Sequence, residues 1–577
     1  MRLSLPAAVC ATLLCTSLHT GLMAQEKNQA AKTITCPGRQ LPYPRIEPNY
    51  NGKIKRDLSP FEQELAKFAT RKADVAALVE GQTIPGLQAL MNAGKLHSTD
   101  LVLYYLDRIR QVDIGQLNSV LEVNPDVLDI ARKMDKERKR KAGNKAMYGI
   151  PVLLKDNIAT ADKLHTAAGT AAMLAWKPSR DAFLVKQLRE AGAIILGKAN
   201  MSEWANYMDQ CMPSGFSVNG GQTRNPYGPF DTWGSSSGSA VAVAADLVTV
   251  SVGSETQGSI IMPARINSVV GLKTSMGLVS RSNIIPLLEY QDVPGPMGKT
   301  VTDVAIMLSA MTGVDPLDTA TTRAGKLAGV DFSAYLKPGA ANGLRIGVPV
   351  TEEVDITKAL ERMGNASDEA KQNTRNFLEK RRATALAAAK VFTDAGLKVV
   401  FIPDSLMPRR QNDIGQALTY GFKQDLNHFL AGLGKEAPFK SMEEIIAFNK
   451  QDMANRAPYG HGLVEGAQNN KISEASFNEI KTRNIAIARR AIDSVLNAFQ
   501  VDLLVSDVNQ VYAPAGYPAI SIPSGYDEKG TPEALILVGT YLSEPQLIAA
   551  GFVYEQATKA RKVPPLAETL ATIKALK

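Results

Sequence analysis

The chain has 577 residues, 45% apolar and 21% charged, which is ordinary for a soluble globular protein. That length exceeds the size at which one core keeps growing, unless a large sheet is wrapped by helices. The net charge of +8 is densest across Arg132–Lys145, where Arg138-Lys139-Arg140-Lys141 closes a helical pattern; cations there complement the helix dipole, and with no zinc spacing or RNA-binding aromatic motif they argue against a nucleic-acid partner.

Residues 1–24 read as a cleavable secretory signal: Arg2, an apolar run Leu3–Leu14, then small and polar residues to Met23-Ala24. Thr16, Ser17, His19 and Thr20 leave too little apolar length for a membrane anchor. Val9 and Leu14 are too bulky to precede a lipidated Cys10 or Cys15. The mature chain is then expected to be exported, to the periplasm or outside, with no membrane association. Cys36 and Cys211 remain, either paired or as two free thiols. Residues 25–59 are polar and Pro-rich towards Tyr50, an extended arm, and 60–577 form the main domain.

Helical spacing covers 84–92 and 98–112, the second with an N-cap offered by His97-Ser98-Thr99-Asp100. Strand-like and helix-like segments then alternate: strand Ile150–Leu154, helix Ala182–Ala191, strand Ala193–Leu196, a small-residue helix Ser237–Leu247 and strand Val248–Val252. Later strands are expected at Arg345–Val348, Leu397–Ile402, Asp502–Ser506 and Ala519–Ile522, and helices at 382–395, 479–499 and 545–560. This is an α/β pattern. Residues 405–478 read as weakly amphipathic helices, either a cover or a surface insertion.

The chemistry concentrates in three places. Pro151-Val-Leu-Leu-Lys155-Asp-Asn157 ends an apolar strand on a lysine, Gly234-Ser235-Ser236-Ser237-Gly238 is the first serine cluster, and Glu255-Thr256-Gln257-Gly258-Ser259 the second. A serine hydroxyl needs a base to become a nucleophile. A lysine serves only as the free amine, since an ammonium has no acceptor, and burial at the end of an apolar strand favours that form.

Ser235 lies 24 residues before Ser259 and Lys155 lies 104 before it. This layout resembles the amidase signature family, over about Thr83–Ala310 with a core motif region at 147–281. The resemblance implies a mixed β-sheet sandwiched by helices in one large domain, and a triad of Lys155, Ser235 and nucleophilic Ser259. It also implies a cis peptide at Gly234–Ser235, supported by Gly234 and Ser236, and an oxyanion hole from the backbone amides of Thr256, Gln257 and Gly258. The reaction expected is amide hydrolysis through an acyl-enzyme, with no cofactor and no metal. The substrate class expected is peptide C-terminal amides, with small aliphatic or aryl amides as the alternative. Ile261 stands where many members carry an arginine two residues after the nucleophile, Arg265 coming later, and Gln257 replaces a common glycine. Trp233 either fills packing space or lines the pocket. The segment 207–221 is either a substrate-contacting loop or an ordinary surface loop.

Four other readings compete. Gly234–Gly238 also fits a nucleophile elbow with Ser236 as nucleophile and His428 or His461 as base, but the Pro- and Gly-containing Asn225–Trp233 before it is no strand. His165, like those two, then reads as a surface or packing residue. No serine has a lysine three positions on, so the penicillin-binding motif is absent. An ammonia-supplying amidotransferase subunit or a non-catalytic binding relative would fit the family but not an exported chain that keeps all three triad residues.

Overall fold

The computed structural model describes residues 56–143, 145–408, 413–506 and 510–576. The signal reading at 1–24, nearly all of the arm and Cys36 lie outside them. Residues 56–59 already pack on the main body: Arg56 donates to Val120 O at 3.1 Å and Asn118 Oδ1 at 3.0 Å, and Leu58 is buried.

Thirteen strands are present among the described residues: β1 (Val120–Val123), β2 (Pro151–Lys155), β3 (Ile194–Ala199), β4 (Phe216–Ser217), β5 (Gly221–Gln222), β6 (Val250–Glu255), β7 (Val270–Lys273), β8 (Val293–Gly298), β9 (Arg345–Val350), β10 (Lys398–Pro403), β11 (Leu503–Ser506), β12 (Ala519–Tyr526) and β13 (Pro532–Val538). Eleven form one mixed sheet in the order β1-β3-β2-β6-β8-β7-β12-β13-β11-β9-β10, and β4 and β5 pair separately. Every residue of β2, β3 and β6 is buried, as expected where helices cover both faces of parallel neighbours. The mixed sheet flanked by helices is the architecture that the motif resemblance implied.

The expected strands appear, extended by a few residues at their C-terminal ends in several cases. β1, β4, β5, β7, β8 and β13 have no counterpart in the sequence reading, and β8 carries Pro294, Gly295, Pro296 and Gly298, all adverse to a strand. Helix Ile84–Asn92 matches its expected span. Helix Ser98–Arg108 stops earlier than 112 because its last turns widen into a π-helical stretch, Ile109–Leu117. Its start is fixed by Asp100, which accepts the His97 amide at 3.1 Å, and by Asp135, which accepts the Ser98 and Thr99 amides. The basic helix ends at Lys141, with Arg138–Lys141 in its last turn. The helix expected at 382–395 begins at Asp368, fourteen residues earlier, under a Ser367 cap.

The described residues within 405–478 include helices Ile414–Leu433, Met442–Lys450, Met453–Arg456 and Gly462–Asn469. They share a hydrophobic cluster with Trp204, Tyr207, Met208, Met212 and Phe216. Segment 207–221 is therefore packed beneath this cover, not an ordinary surface loop. Asp209 ties the two together, accepting the Cys211 amide at 2.8 Å and the Gly462 amide at 2.7 Å. Cys211 is in a disulfide, so the free-thiol reading does not hold for it. No described helix is long and apolar enough to cross a membrane.

Candidate active site

Two parallel neighbours, β2 and β6, set the site. Their register aligns Leu154 with Val252, so Lys155 at the end of β2 lies beside Gly253 and Ser254. Lys155 is fully buried, and its Nζ donates to Ser235 Oγ at 2.8 Å, Ser254 O at 2.8 Å and Ser254 Oγ at 3.0 Å. Asn157 Nδ2 donates to the same Ser254 Oγ at 3.0 Å. Burial pushes the Lys155 amine down from 10.5 to about 7, opposed by the nearby carboxylates of Asp292 and Glu255. At pH 7 an ordinary lysine holds roughly one free amine in three thousand; at about 7 the fraction is about half.

Lys198 and Lys273 are as deeply buried, and burial lowers each to about 8. Lys198 donates to Ile158 O and Thr166 Oγ1, and Lys273 to Tyr517 O. Among these three lysines, Lys155 alone meets serine hydroxyls.

The only cis peptide among the described residues is Gly234–Ser235. Ser235 is buried, and its carbonyl accepts the Ser202 amide at 3.2 Å. Gly234 has no room for a side chain: an added Cβ would lie 2.4 Å from Ser202 Oγ and 3.0 Å from Asn206 Nδ2. Trp233, half-buried at φ 51°, precedes it. Ser236 exchanges bonds with Ser254, its Oγ donating to the Ser254 carbonyl at 3.0 Å and accepting the Ser254 amide at 3.2 Å. Its own amide donates to Ser259 O at 3.2 Å. One bond therefore docks the two serine clusters, and Ser259, 6% exposed, lies beside the Ser235–Ser236 step.

The turn before Ser259 corrects one expectation. The Gly258 amide donates to Glu255 Oε1 at 2.7 Å, while Ile260 and Ile261 donate to Glu255 Oε2 at 2.8 and 3.0 Å. Gly258 N–H is thus already taken by a buried carboxylate. Among the described residues, the Thr256, Gln257 and Ser259 amides donate to no protein acceptor. These three are the amides of the turn left to meet a ligand. Glu255 was not singled out from sequence, although an acid directly ahead of a Gly-Ser turn at a strand end is a signal for amide capture.

His165 and His461 make their contacts away from both serine clusters. His428 is exposed; His165 Nδ1 meets Glu122 Oε1 at 2.8 Å, and buried His461 faces Asn449 and Glu465. With Ser236 bonded to Ser254, the elbow reading has no base. No group of three or more His, Cys, Asp or Glu suited to a metal occurs among the described residues.

Comparison with known proteins agrees with this geometry. A family model described as Amidase matches residues 100–548. The chain is 35% identical to a probable amidase of Arabidopsis thaliana, over 84% of this chain and 92% of the relative. The structure of an amidase family protein from Bacillus anthracis superposes with a TM-score of 0.80 at 37% identity, covering 91% of this chain and 99% of that one. The native peptide amidase of Stenotrophomonas maltophilia gives a TM-score of 0.75 at 37% identity, covering 84% and 99%. The match extends well beyond the motif region to the C-terminal strands and helices, and the chain belongs to the amidase signature family of enzymes hydrolysing amide C–N bonds.

Proposed function

We propose that this protein is an exported amide hydrolase whose relay runs from Ser259 through Ser235 to Lys155, and whose substrates are peptides with a C-terminal carboxamide. The observation that carries the relay is the 2.8 Å contact of Lys155 with Ser235 in a fully buried setting that brings the amine to about 7. As a free amine, Lys155 donates two protons to Ser254 O and Oγ and turns its lone pair to the Ser235 hydroxyl. Ser259 attacks the amide carbonyl while its proton passes to Ser235 and the proton of Ser235 passes to Lys155. The amides of Thr256, Gln257 and Ser259 receive the developing oxyanion. Lys155 then returns a proton through Ser235 to the leaving nitrogen, ammonia departs, and an acyl ester on Ser259 remains. Water attacks the ester through the same relay and releases the carboxylic acid.

The substrate class is supported by similarity to the Stenotrophomonas peptide amidase over almost its whole length. Export rests on the Arg2, Leu3–Leu14 and Met23-Ala24 pattern. The test is ammonia release from amidated peptides, aminoacyl amides and small aliphatic or aryl amides, beside Ser259→Ala and Lys155→Ala. Release from amidated peptides that both variants lose supports the reading. Release from small or aryl amides only moves the substrate, and activity surviving Ser259→Ala overturns the nucleophile.

A further inference from the structure

The antiparallel ladder of β6 and β8 pairs Ser254 with Pro294 and Glu255 with Val293. Continued one step past both strands, the same ladder sets Thr256 opposite Asp292. Both ends of Thr256 are held there: its hydroxyl donates to Asp292 Oδ1, and its carbonyl accepts Gln291 Nε2 at 2.9 Å. The other carboxylate oxygen of Asp292 accepts the Leu287 amide at 2.8 Å and the Leu288 amide at 2.9 Å. Leu288 packs with Ile414 and Ala417 of the cover helix, and Asp425 on that helix accepts the Glu289 amide at 2.7 Å. One buried carboxylate thus joins the covered segment 287–289 to the residue that opens the turn of Ser259.

The same carboxylate acts on the base. Of the charges facing Lys155, Asp292 favours its ammonium form most and Glu255 on β6 comes next; Asp292 is itself faced by Arg281, and Asp425 faces Asp292 from the cover.

We infer that Asp292 is a positioning residue that holds Thr256, and with it the oxyanion-side amides, and that its negative charge opposes the effect of burial on Lys155 and so raises the acid limit of the relay. This rests on the relay reading above. A structural anchor alone would change rate without moving the pH at which Lys155 loses its proton.

The test is the pH dependence of kcat/KM for ammonia release from an amidated dipeptide by wild type, Asp292→Asn, Thr256→Val, Thr256→Ser and Ser259→Ala. Asp292→Asn keeps an acceptor for the two leucine amides and offers N–H to the Thr256 hydroxyl, so it removes charge with little change of shape. Its acid limb is expected to move down by about half to one pH unit, because Lys155 loses a charge that favoured the ammonium. Thr256→Val is expected to lower kcat with KM and the limb nearly unchanged, and Thr256→Ser to restore kcat. A limb for Asp292→Asn at the wild-type position overturns the electrostatic role. Full kcat in Thr256→Val overturns the positioning role. If Asp292→Asn does not fold, the Thr256 pair decides the positioning role, and an acid limb that differs between wild type and Thr256→Val overturns the proposed separation of the two roles. Activity retained by Ser259→Ala removes the relay reading and this proposal with it, an outcome distinct from an unshifted limb in a protein that needs Ser259.

Discussion

Glu255 closes the nucleophile turn on itself, its two oxygens taking the Gly258 amide at 2.7 Å and the Ile260 amide at 2.8 Å, with Ile261 as a third donor. A carboxylate at this place fixes the backbone on both sides of Ser259. Glu255→Ala leaves three amides in a buried setting without an acceptor, each costing about 1–3 kcal/mol. Urea unfolding should show a loss of about 3 kcal/mol or more, with kcat falling as well, and Glu255→Gln should recover part of both.

The pH profile follows from Lys155. With its amine at about 7, kcat/KM should fall about tenfold per pH unit below that point and level off above it. The sign is set by which form works: protonation at lower pH removes the acceptor. Lys155→Met should lose about 10²–10⁴-fold in kcat at every pH and show no such limb. A wild-type limb near pH 4 or 5 would assign the base to a carboxylate.

Gly258 has φ +80°, and a Cβ there would stand 2.6 Å from Gln510 Nε2. Gly258→Ala combines that crowding with a backbone conformation costing about 1–3 kcal/mol for a residue with a side chain. Steady-state kinetics should show a marked drop in kcat. Adding Gln510→Gly removes the crowding but leaves the conformation, so the double variant should regain only part of the rate; full recovery would place the whole effect in the crowding.

Asp209 offers a test of the cover. Asp209→Ala frees the Cys211 and Gly462 amides, part-buried and exposed, at a cost of about 0.5–1.5 kcal/mol while leaving β2, β6 and both serine clusters untouched. Limited proteolysis should cut faster in residues 450–465, and KM should rise while kcat changes little. A selective fall in kcat would show that the cover also sets the relay geometry.

Lys155, Ser235 and Ser259 stood out as candidates because they come in short motifs at a spacing that resembles a known family: a lysine at the end of an apolar strand, and two serine clusters with glycines where the backbone must turn. Strands β2, β3 and β6 were legible because parallel, doubly buried strands are continuous apolar runs. β8 was not, since its Pro294-Gly295-Pro296 composition opposes a strand and only its place between β6 and β7 makes it one. The first half of helix Asp368–Asp394 is mostly exposed and polar, so no apolar stripe marks it. Asp292 gave no signal at all, because its meaning comes from the ladder step that sets it across from Thr256. Gly258 was misread for the complementary reason: sequence counts amides, and only the fold shows that Glu255 has already claimed one.

The contacts of Lys155 reach across 80 residues to Ser235 and 99 to Ser254. No local segment of the chain contains an acceptor and a nucleophile together, so hydrolytic capacity is a property of the assembled β2–β6 pair. An unfolded or partly paired chain is chemically silent, and turnover by this enzyme reports in a single number that two distant stretches of polypeptide have found their register.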